Sequence, residues 1–427
     1  MLLLFGSMLF LVALGVPILF CIALSSFITL LFTENVSLNA IPNLLISPIN
    51  SFTLAAIPFY ILAGELLNEG ALTDRIIAFA RSLIGNIRGG LAHVSVLGAL
   101  MLGGVSGSMT ADTAAIGSVL IPAMKKAGYH NDISVSLAVC GSIVGAMIPP
   151  SIVMVIFAAI TDLSIGRIFL GGIIPGIIIA IAMMITSHFI VLKRGYTDRE
   201  PFSWKNVYRT GKKAIWASLV PLVIVVGIVT GLTTATEAGL LAVFMAFFIG
   251  TFVYKQIDSW AKIKKILVNT ATSSSLVMLL LSFSGLFGEL LMRMRFQDQF
   301  LEFLNAITTN PYLLVVIIVI FIFILGFPLD TTVILIMFAN PFLQMATSFG
   351  FDPIHFAVIM ILASIISALT PPVAVLLVLG CSIAGERLER VIKVHTIYTL
   401  VILGVNILLI FYPPLVTWLP NKLMGMP

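Results

Sequence analysis

Two proline pairs lie inside long apolar segments of this sequence. The segment at 142–153 reads SIVGAMIPPSIV, and the segment at 364–375 reads SIISALTPPVAV. Proline has no backbone N–H, so Pro149-Pro150 and Pro371-Pro372 cannot donate to the carbonyl groups four residues earlier. An unpaired carbonyl in hydrocarbon costs several kcal/mol unless another group satisfies it. The carbonyl groups that we expect to lose their donors are those of Gly145, Ala146, Ser367 and Ala368.

A small hard cation such as Na⁺ prefers oxygen ligands and can satisfy such carbonyl groups. Membrane transporters build cation sites from unwound carbonyls and helix ends near the bilayer midplane. Neighbouring helices and water could instead absorb two simple kinks, but the duplication of the break favours two cation sites. The further oxygen ligands that we predict near the breaks are Ser106, Ser108, Ile148, Gly326 and Thr370.

Two turns each join a pair of apolar runs that are too short to span a bilayer, and so predict re-entrant hairpins. The turns are GVSGSMT at 104–110 and GFPLD at 326–330. The second helix of each hairpin begins at the tip, and helix N-termini favour anions. We therefore expect an anionic solute between the tips. The predicted solute ligands are Thr110, Asp112, Asp330 and Thr331, with N-terminal capping the favoured role for the two aspartates.

The composition indicates a polytopic membrane protein. Of 427 residues, 60% are hydrophobic and 10% are charged, whereas soluble domains carry roughly 25% charged residues. The apolar runs are continuous rather than alternating, which favours helices over a barrel. We predict an all-α fold of two inverted-topology repeats. Each repeat has about five transmembrane helices, one re-entrant hairpin and one Pro-Pro-broken helix.

A basic linker at 193–213 separates the predicted repeats, which occupy 1–192 and 214–427. We expect the segment at 1–32 to form two short crossings, because the second repeat also opens with two. One long kinked crossing with a cytoplasmic N-terminus would segregate the basic residues equally well. The hairpins and broken helices are predicted at 89–127, 132–160, 311–348 and 353–383. An amphipathic piece at 260–268 and a separate crossing at 272–291 are expected, and the last crossing is predicted at 396–418.

An odd number of crossings in each repeat makes the repeats inverted, and the charges agree. The chain has 23 lysine and arginine residues. With both termini outside, four of the 23 lie outside, namely Arg167, Arg293, Arg295 and Lys422, and the other 19 lie inside. This distribution fits the positive-inside rule. It also accounts for the basic pI of 9.1 without a nucleic-acid partner.

The sequence GGVSGSMTADTAAIGSVLIPAMKKAGY at 103–129, together with the IPPS and TPP breaks, resembles the large membrane subunit of tripartite ATP-independent periplasmic (TRAP) transporters. The resemblance covers essentially the whole chain. It implies a Na⁺-driven elevator, with about two Na⁺ ions, importing an organic-acid anion across a bacterial inner membrane. Hairpins and broken helices would move against a scaffold formed by the remaining helices.

The same resemblance implies two partners. One is a small four-helix membrane subunit on a separate chain, and the other is a soluble periplasmic substrate-binding protein. The termini would be periplasmic. The overall pattern is most similar to the sialic-acid members, so sialic acid or a C4-dicarboxylate is the expected type of cargo.

Two alternatives from other functional classes remain open on the sequence. GVSG at 104–107 matches the GxSG motif of rhomboid intramembrane proteases, in which Ser106 would need a base such as His93 or His188. An ion channel would also bind cations through unpaired backbone carbonyl groups. Neither alternative explains inverted repeats within one chain, which favour alternating access. We therefore expect a transporter and not an enzyme.

Overall fold

The structure, a computed structural model, describes residues 1–32, 41–70, 72–370 and 374–425, without the side chains of Val105 and Ser106. Within these ranges the chain forms twenty α-helices and no strand, which confirms the all-α prediction. The helices of the first half are α1 (Leu2–Ala13), α2 (Ile18–Phe32), α3 (Ile41–Ile46), α4 (Ala56–Glu69), α5 (Leu72–Ile84), α6 (Gly90–Ser106), α7 (Met109–Lys126), α8 (Asn131–Met147), α9 (Ile152–Thr161) and α10 (Ile165–Arg194). Those of the second half are α11 (Trp204–Val229), α12 (Ala235–Phe248), α13 (Trp260–Arg293), α14 (Phe296–Ile307), α15 (Pro311–Leu325), α16 (Thr331–Ser348), α17 (Pro353–Ser367), α18 (Val375–Ala384), α19 (Leu388–Phe411) and α20 (Pro414–Met424).

Six helices are long and apolar enough to cross a membrane, or eight if each of two bent helix pairs counts as one span. This confirms a polytopic membrane protein. Helices α1 and α2 have 12 and 15 residues, fewer than the roughly 20 that a bilayer needs. Whether they cross separately therefore stays a prediction, as does the total of ten crossings.

The predicted helix boundaries are wrong in two places. The amphipathic piece at 260–268 and the crossing at 272–291 form one helix, α13, of 34 residues. No glycine or proline interrupts the polar sequence between them, so the backbone hydrogen bonds continue. The predicted last crossing at 396–418 ends instead at Phe411, and α20 follows. The cause is Pro413-Pro414, which cannot continue the helical ladder.

Each predicted hairpin packs against the broken helix of its own half. Helices α6 and α7 contact each other and α8, and helices α15 and α16 contact each other and α17. Helices α8 and α9 are bent by 43° at the first break. The second break lies between α17 and α18, where Pro371-Pro372 fall outside the described residues. The hairpin at 90–126 therefore has α15 and α16 as its counterpart in the second half, and the broken helix at 131–161 has α17 and α18.

The remaining long helices divide by their contacts. Helices α10 and α19 pack against α8 and α17, next to the broken helices. Helix α4 packs against α12 and α13, and α11 packs against α5 and α12. The division into a moving part and a static part stays a prediction, because α10 also contacts α11 and α20.

The linker between the two halves folds over the base of the first hairpin. The Asp198 Oδ2 accepts a hydrogen bond from the Leu91 N–H at 3.1 Å, and its Oδ1 accepts one from the Tyr129 hydroxyl at 2.6 Å. The Asp198 carbonyl accepts from the Gly89 N–H at 3.1 Å. Burial, together with the Asp198 carboxylate, raises the pKa of Tyr129 and keeps its hydroxyl a donor. Asp198 therefore satisfies free N–H groups at the start of α6.

Replacing Asp198 by alanine should lower the stability of the protein by about 1–2 kcal/mol, because a helix cap and a partly buried acceptor are both lost. The measurement is the apparent thermal unfolding midpoint of the protein purified in detergent. Thr197→Ala, at an exposed neighbouring position, is the matched control and should leave the midpoint unchanged. Equal midpoints for the two variants would contradict the capping role.

Candidate functional site

A cavity of about 290 Å³ lies between the two hairpin tips. One wall is formed by residues 107–111 at the tip of the first hairpin, and Asp330 and Thr332 of the second hairpin contribute to the lining. Helix α9 and the helices α4 and α13 complete the walls. The N-termini of α7 and α16 therefore meet at one site, as the sequence predicted for the two tips.

The structure divides the predicted solute ligands into two groups. Thr110 and Asp330 line this cavity. Thr331 is buried, and its hydroxyl donates to the Ser364 carbonyl at 2.9 Å. Asp112 is also buried and is not part of the lining. The cavity thus brings together one predicted residue from each tip and leaves the other two within the protein.

The two aspartates occupy different positions in their helices. Asp330 is the N-cap of α16, and its Oδ1 accepts from the Thr332 N–H at 2.9 Å. The favoured capping role is confirmed for this residue. In α7 the N-cap position is held by Ser108, which accepts from the Ala111 N–H at 3.4 Å, so a capping role for Asp112 stays a prediction. Asp112 lies one turn farther into the helix.

Asp112 lies beside the first break. A Cβ added to Gly103 of α6 would lie 2.1 Å from the Gly145 Cα, so α6 and α8 touch through their backbones. The Asp112 Oδ2 would lie 2.8 Å from a Cβ added to Gly145. The neighbouring Thr113 hydroxyl is buried and has no hydrogen-bond partner among the described residues. A carboxylate and a hydroxyl therefore lie beside the backbone that Pro149-Pro150 interrupts.

The second break has a matching contact. A Cβ added to Gly326, at the end of α15, would lie 1.9 Å from the Ser367 Cβ. Gly326 and Ala368 also line a second cavity of about 300 Å³, on the side of the tips that faces the α1–α2 turn. Thr110 and Asp330 line both cavities. A glycine at the end of one hairpin helix therefore sets the approach to each break.

Two of the four carbonyl groups that were expected to lose their donors are paired. The Gly145 carbonyl accepts from the Ile148 N–H at 3.1 Å. The Ser367 carbonyl accepts from the Thr370 N–H at 3.1 Å and from the Thr370 hydroxyl at 2.7 Å. A tighter turn with bonds between residues three apart replaces the missing helical bonds at these two positions.

The other two carbonyl groups cannot be paired in this way. The residues three and four positions after Ala146 are Pro149 and Pro150, and those after Ala368 are Pro371 and Pro372. Neither an α-helical turn nor a 3₁₀ turn can therefore supply a donor. Ala146 and Ala368 are the strongest carbonyl candidates for a cation at the two breaks.

The positions of the two histidines argue against the protease alternative, which requires a base close to Ser106. The Ser106 side chain lies outside the described part of the chain. His93 is on the same helix as Ser106, thirteen residues earlier, which places it about 20 Å away along the axis. The His93 and His188 rings lie 5.7 Å apart between centroids, so His188 is at the same distant end. Neither histidine can act on a nucleophile at the hairpin tip.

The chain matches the family described as "Tripartite ATP-independent periplasmic transporter, DctM component" over residues 5–415. The chain belongs to this family. The predicted membership of the TRAP large subunits is confirmed, and the channel and protease alternatives are set aside. The sialic acid TRAP transporter large permease protein SiaM of Vibrio cholerae is 34% identical over 363 residues, which cover 85% of each chain.

Two other TRAP relatives carry different names. The 2,3-diketo-L-gulonate TRAP transporter large permease protein YiaN of Escherichia coli K12 is 30% identical over 411 residues, which cover 96% of each chain. The C4-dicarboxylate TRAP transporter large permease protein DctM of Vibrio cholerae is 31% identical over 432 residues, covering 96% of this chain and 95% of that protein. The family is therefore shown, whereas the relatives differ in the named solute.

Membership has three direct consequences. TRAP large permeases are inner-membrane proteins that work in solute transport and not as enzymes. The family is tripartite, so a small membrane subunit and a periplasmic binding protein belong to the system. These coarse statements agree with the apolar helices of the chain.

Sequence reasoning missed several site residues. Glu65, Asn68 and Thr332 line the cavity between the tips, and Thr113 lies beside the first break. Glu65 is an acidic residue within an apolar run, and such residues are functional candidates by default. That signal was available in the sequence. No local pattern marks Asn68 or Thr113, because their role depends on which helices meet there.

Adding a methyl group at the glycine contacts should push the hairpins away from the breaks. Gly103→Ala and Gly326→Ala should each lower the stability by about 1–3 kcal/mol, because backbone or a short side chain must move. Gly404→Ala, where nothing lies within 4 Å of the added Cβ, is the control and should not destabilise. Thermal unfolding of the three purified variants checks this, and equal midpoints for all three would contradict the close packing.

Proposed function

We propose that this chain is the large permease of a Na⁺-coupled importer of an organic-acid anion. The observation that supports this best is the chemistry of the cavity between the tips. Two helix N-termini and the carboxylates of Glu65 and Asp330 reach it, and no lysine or arginine is among the described residues that line it. The described lining therefore offers an anion no positively charged side chain.

Such a cavity needs mobile positive charge before it can hold an anion. Two like charges 4 Å apart repel by about 4 kcal/mol at the effective dielectric constant near a protein surface. The N-terminal dipoles of α7 and α16 offset part of such repulsion. Cations bound at the adjacent breaks would supply the rest. Binding of the anion would then depend on prior binding of Na⁺, and this dependence is the basis of coupled transport.

Two cation sites follow from the geometry of the breaks. At the first, the Asp112 carboxylate and the Ala146 carbonyl are the leading ligands, with Ser106 and Ser108 as predicted hydroxyl partners. At the second, the Ala368 carbonyl and the Thr370 hydroxyl are the leading ligands. The hydroxyl of Thr370 donates its proton to the Ser367 carbonyl, so its oxygen lone pairs can still face a cation.

The cavity supports an elevator that is open toward the cytoplasm. Glu65 and Asn68 lie near the C-terminal end of α4, which the charge distribution assigns to the cytoplasmic face. The cavity extends from the tips to these two residues. The hairpin tips and α9 line one side of the cavity, and α4 and α13 line the other side. Sliding of the first group past the second would carry the solute between the two faces.

The two cavity carboxylates also favour certain solutes. A carboxylate accepts hydrogen bonds from hydroxyl and amide groups. Glu65 and Asp330 would therefore bind the hydroxyl groups of a sugar acid better than the second carboxylate of a C4-dicarboxylate. Among the solutes named for the relatives, sialic acid and 2,3-diketo-L-gulonate have such hydroxyl groups. We propose a hydroxylated acid, delivered by the periplasmic binding protein.

Uptake by proteoliposomes tests this function. The chain, its small subunit and its binding protein should take up one member of a panel of sialic acid, 2,3-diketo-L-gulonate and a C4-dicarboxylate, and this uptake should require Na⁺. Asp112→Asn should raise the Na⁺ concentration for half-maximal uptake about 10- to 150-fold, because a charged ligand is lost.

Asp352→Asn is the matched control for this experiment, because Asp352 is the N-cap of α17, accepts from the His355 N–H at 2.8 Å and does not line either cavity at the tips. Asparagine is an equally good N-cap, so the Na⁺ dependence of that variant should stay within about threefold of the wild type. Uptake that ignores Na⁺ would overturn the proposed coupling. Identical Na⁺ dependence of the two asparagine variants would overturn the assignment of Asp112.

Cysteine labelling tests the proposed orientation. In a background that lacks the three native cysteines, Thr197→Cys in the linker should react with an impermeant maleimide after the inner face is opened, because the basic linker is cytoplasmic. Thr309→Cys, between α14 and α15, should react in intact cells. Labelling of the first position in intact cells would contradict the orientation. The native cysteines are Cys21, Cys140 and Cys381, which are all buried.

A further inference from the structure

A histidine from another helix contacts the second break. His395 is on α19, is 1% exposed, and its Nε2 lies 2.9 Å from the Leu369 carbonyl oxygen. Leu369 lies two residues before Pro371-Pro372. Neither the hydrophobic pattern nor the spacing along the chain connects His395 to this break, because 26 residues separate the two groups.

The contacts of His395 fix the position of its proton. A carbonyl oxygen can only accept, so the Nε2 must carry the hydrogen. The Nδ1 of the neutral ring then has a lone pair, and it faces the Cys140 sulfur of α8 at 3.6 Å. The Thr399 hydroxyl donates to the His395 carbonyl at 3.0 Å, one helical turn along α19. The imidazole is thus held between α8 and the break.

A 3₁₀ turn cannot supply a donor to the Leu369 carbonyl. The residue three positions later is Pro372, which has no N–H. His395 instead supplies this carbonyl with a donor from outside the broken helix. With the Leu369 carbonyl held, the peptide plane between Leu369 and Thr370 is fixed, and so is the start of the Thr370 side chain. The Ala368 carbonyl is left for another ligand.

The first break is built differently at the equivalent place. Met147 corresponds to Leu369 in the duplicated sequence. There α10 brings Gly172 against the Met147 carbonyl, and a Cβ added to Gly172 would lie 2.7 Å from that oxygen. Glycine has no side chain that can donate. Both halves thus contain the proline pair, but α10 packs against the first break and α19 packs against the second.

We propose that His395 is the positioning residue of the cation site at the second break. By holding the Leu369 carbonyl, it directs the Ala368 carbonyl and the Thr370 hydroxyl toward one ion. It therefore sets the Na⁺ affinity of this site independently of the first site. This inference rests on the proposed Na⁺ coupling and adds a residue from outside the broken helices to it.

Two amide variants that differ by one methylene group test the role. In His395→Gln the amide nitrogen can reach the position of the Nε2, whereas in His395→Asn it cannot. The measurement is the rise in thermal unfolding midpoint of the purified full chain with NaCl, compared with KCl at equal ionic strength. We expect His395→Asn to need about 5- to 30-fold more Na⁺ for half of the effect, and His395→Gln to stay within about threefold.

Ser187→Ala is the control for loss of a buried hydrogen bond near α19, because the Ser187 hydroxyl lies 2.9 Å from the Tyr398 hydroxyl. It should lower the midpoint in KCl, as His395→Asn does, but leave the Na⁺ concentration for half of the effect unchanged. A role in fold stability alone would make His395→Asn behave in the same way as this control.

Several results would overturn the inference. They are an unchanged Na⁺ requirement in a folded His395→Asn variant, an equal shift in His395→Gln, or failure of both amide variants to fold while Ser187→Ala folds. In each of these cases the wild type would still be stabilised by Na⁺, so the proposed function would stand. A wild type that NaCl stabilises no more than KCl would contradict the Na⁺ coupling and this inference together.

Discussion

Backbone carbonyl groups inside a membrane must find donors or cations, and the two proline pairs of this chain remove donors at fixed positions. Much of the architecture around the breaks can be understood as a response to that loss. Turns with bonds between residues three apart pair the carbonyls of Gly145 and Ser367. His395 pairs the carbonyl of Leu369. The carbonyls of Ala146 and Ala368 remain, since both of their possible local donors are prolines.

Close packing then brings the hairpin tips to these carbonyls. Gly103 allows α6 to touch α8, and Gly326 allows α15 to touch α17 at Ser367. A side chain at either glycine would separate the hairpin from the break. Because the second helix of each hairpin starts at its tip, the same contacts place two helix N-termini at one cavity. The two breaks and the cavity between the tips are therefore adjacent as a consequence of packing.

The two halves use this plan with different side chains. Asp112 is buried against the first break, whereas Asp330 caps its helix and faces the cavity. His395 backs the second break, and Gly172 backs the first. If the two breaks hold the proposed cations, these different surroundings would give the two sites different affinities. Unequal sites would allow ions to bind in a preferred order.

The sequence by itself determined the all-α membrane fold class and the family, and it predicted both hairpins and both breaks. Each of these depends on local composition, such as continuous apolar runs, a Gly/Ser turn or two adjacent prolines. It also placed Thr110 and Asp330 at the tips. It could not show that 260–293 is one helix, because a polar stretch between two apolar segments allows either outcome. Pro413-Pro414 is a local signal for the end of the last crossing at Phe411, and the predicted crossing wrongly ran past it. Only the tertiary structure showed that Asp112 lies against Gly145, that Glu65 lines the cavity and that His395 reaches Leu369. These are contacts between helices distant in the chain, and their geometry depends on how closely the backbones approach.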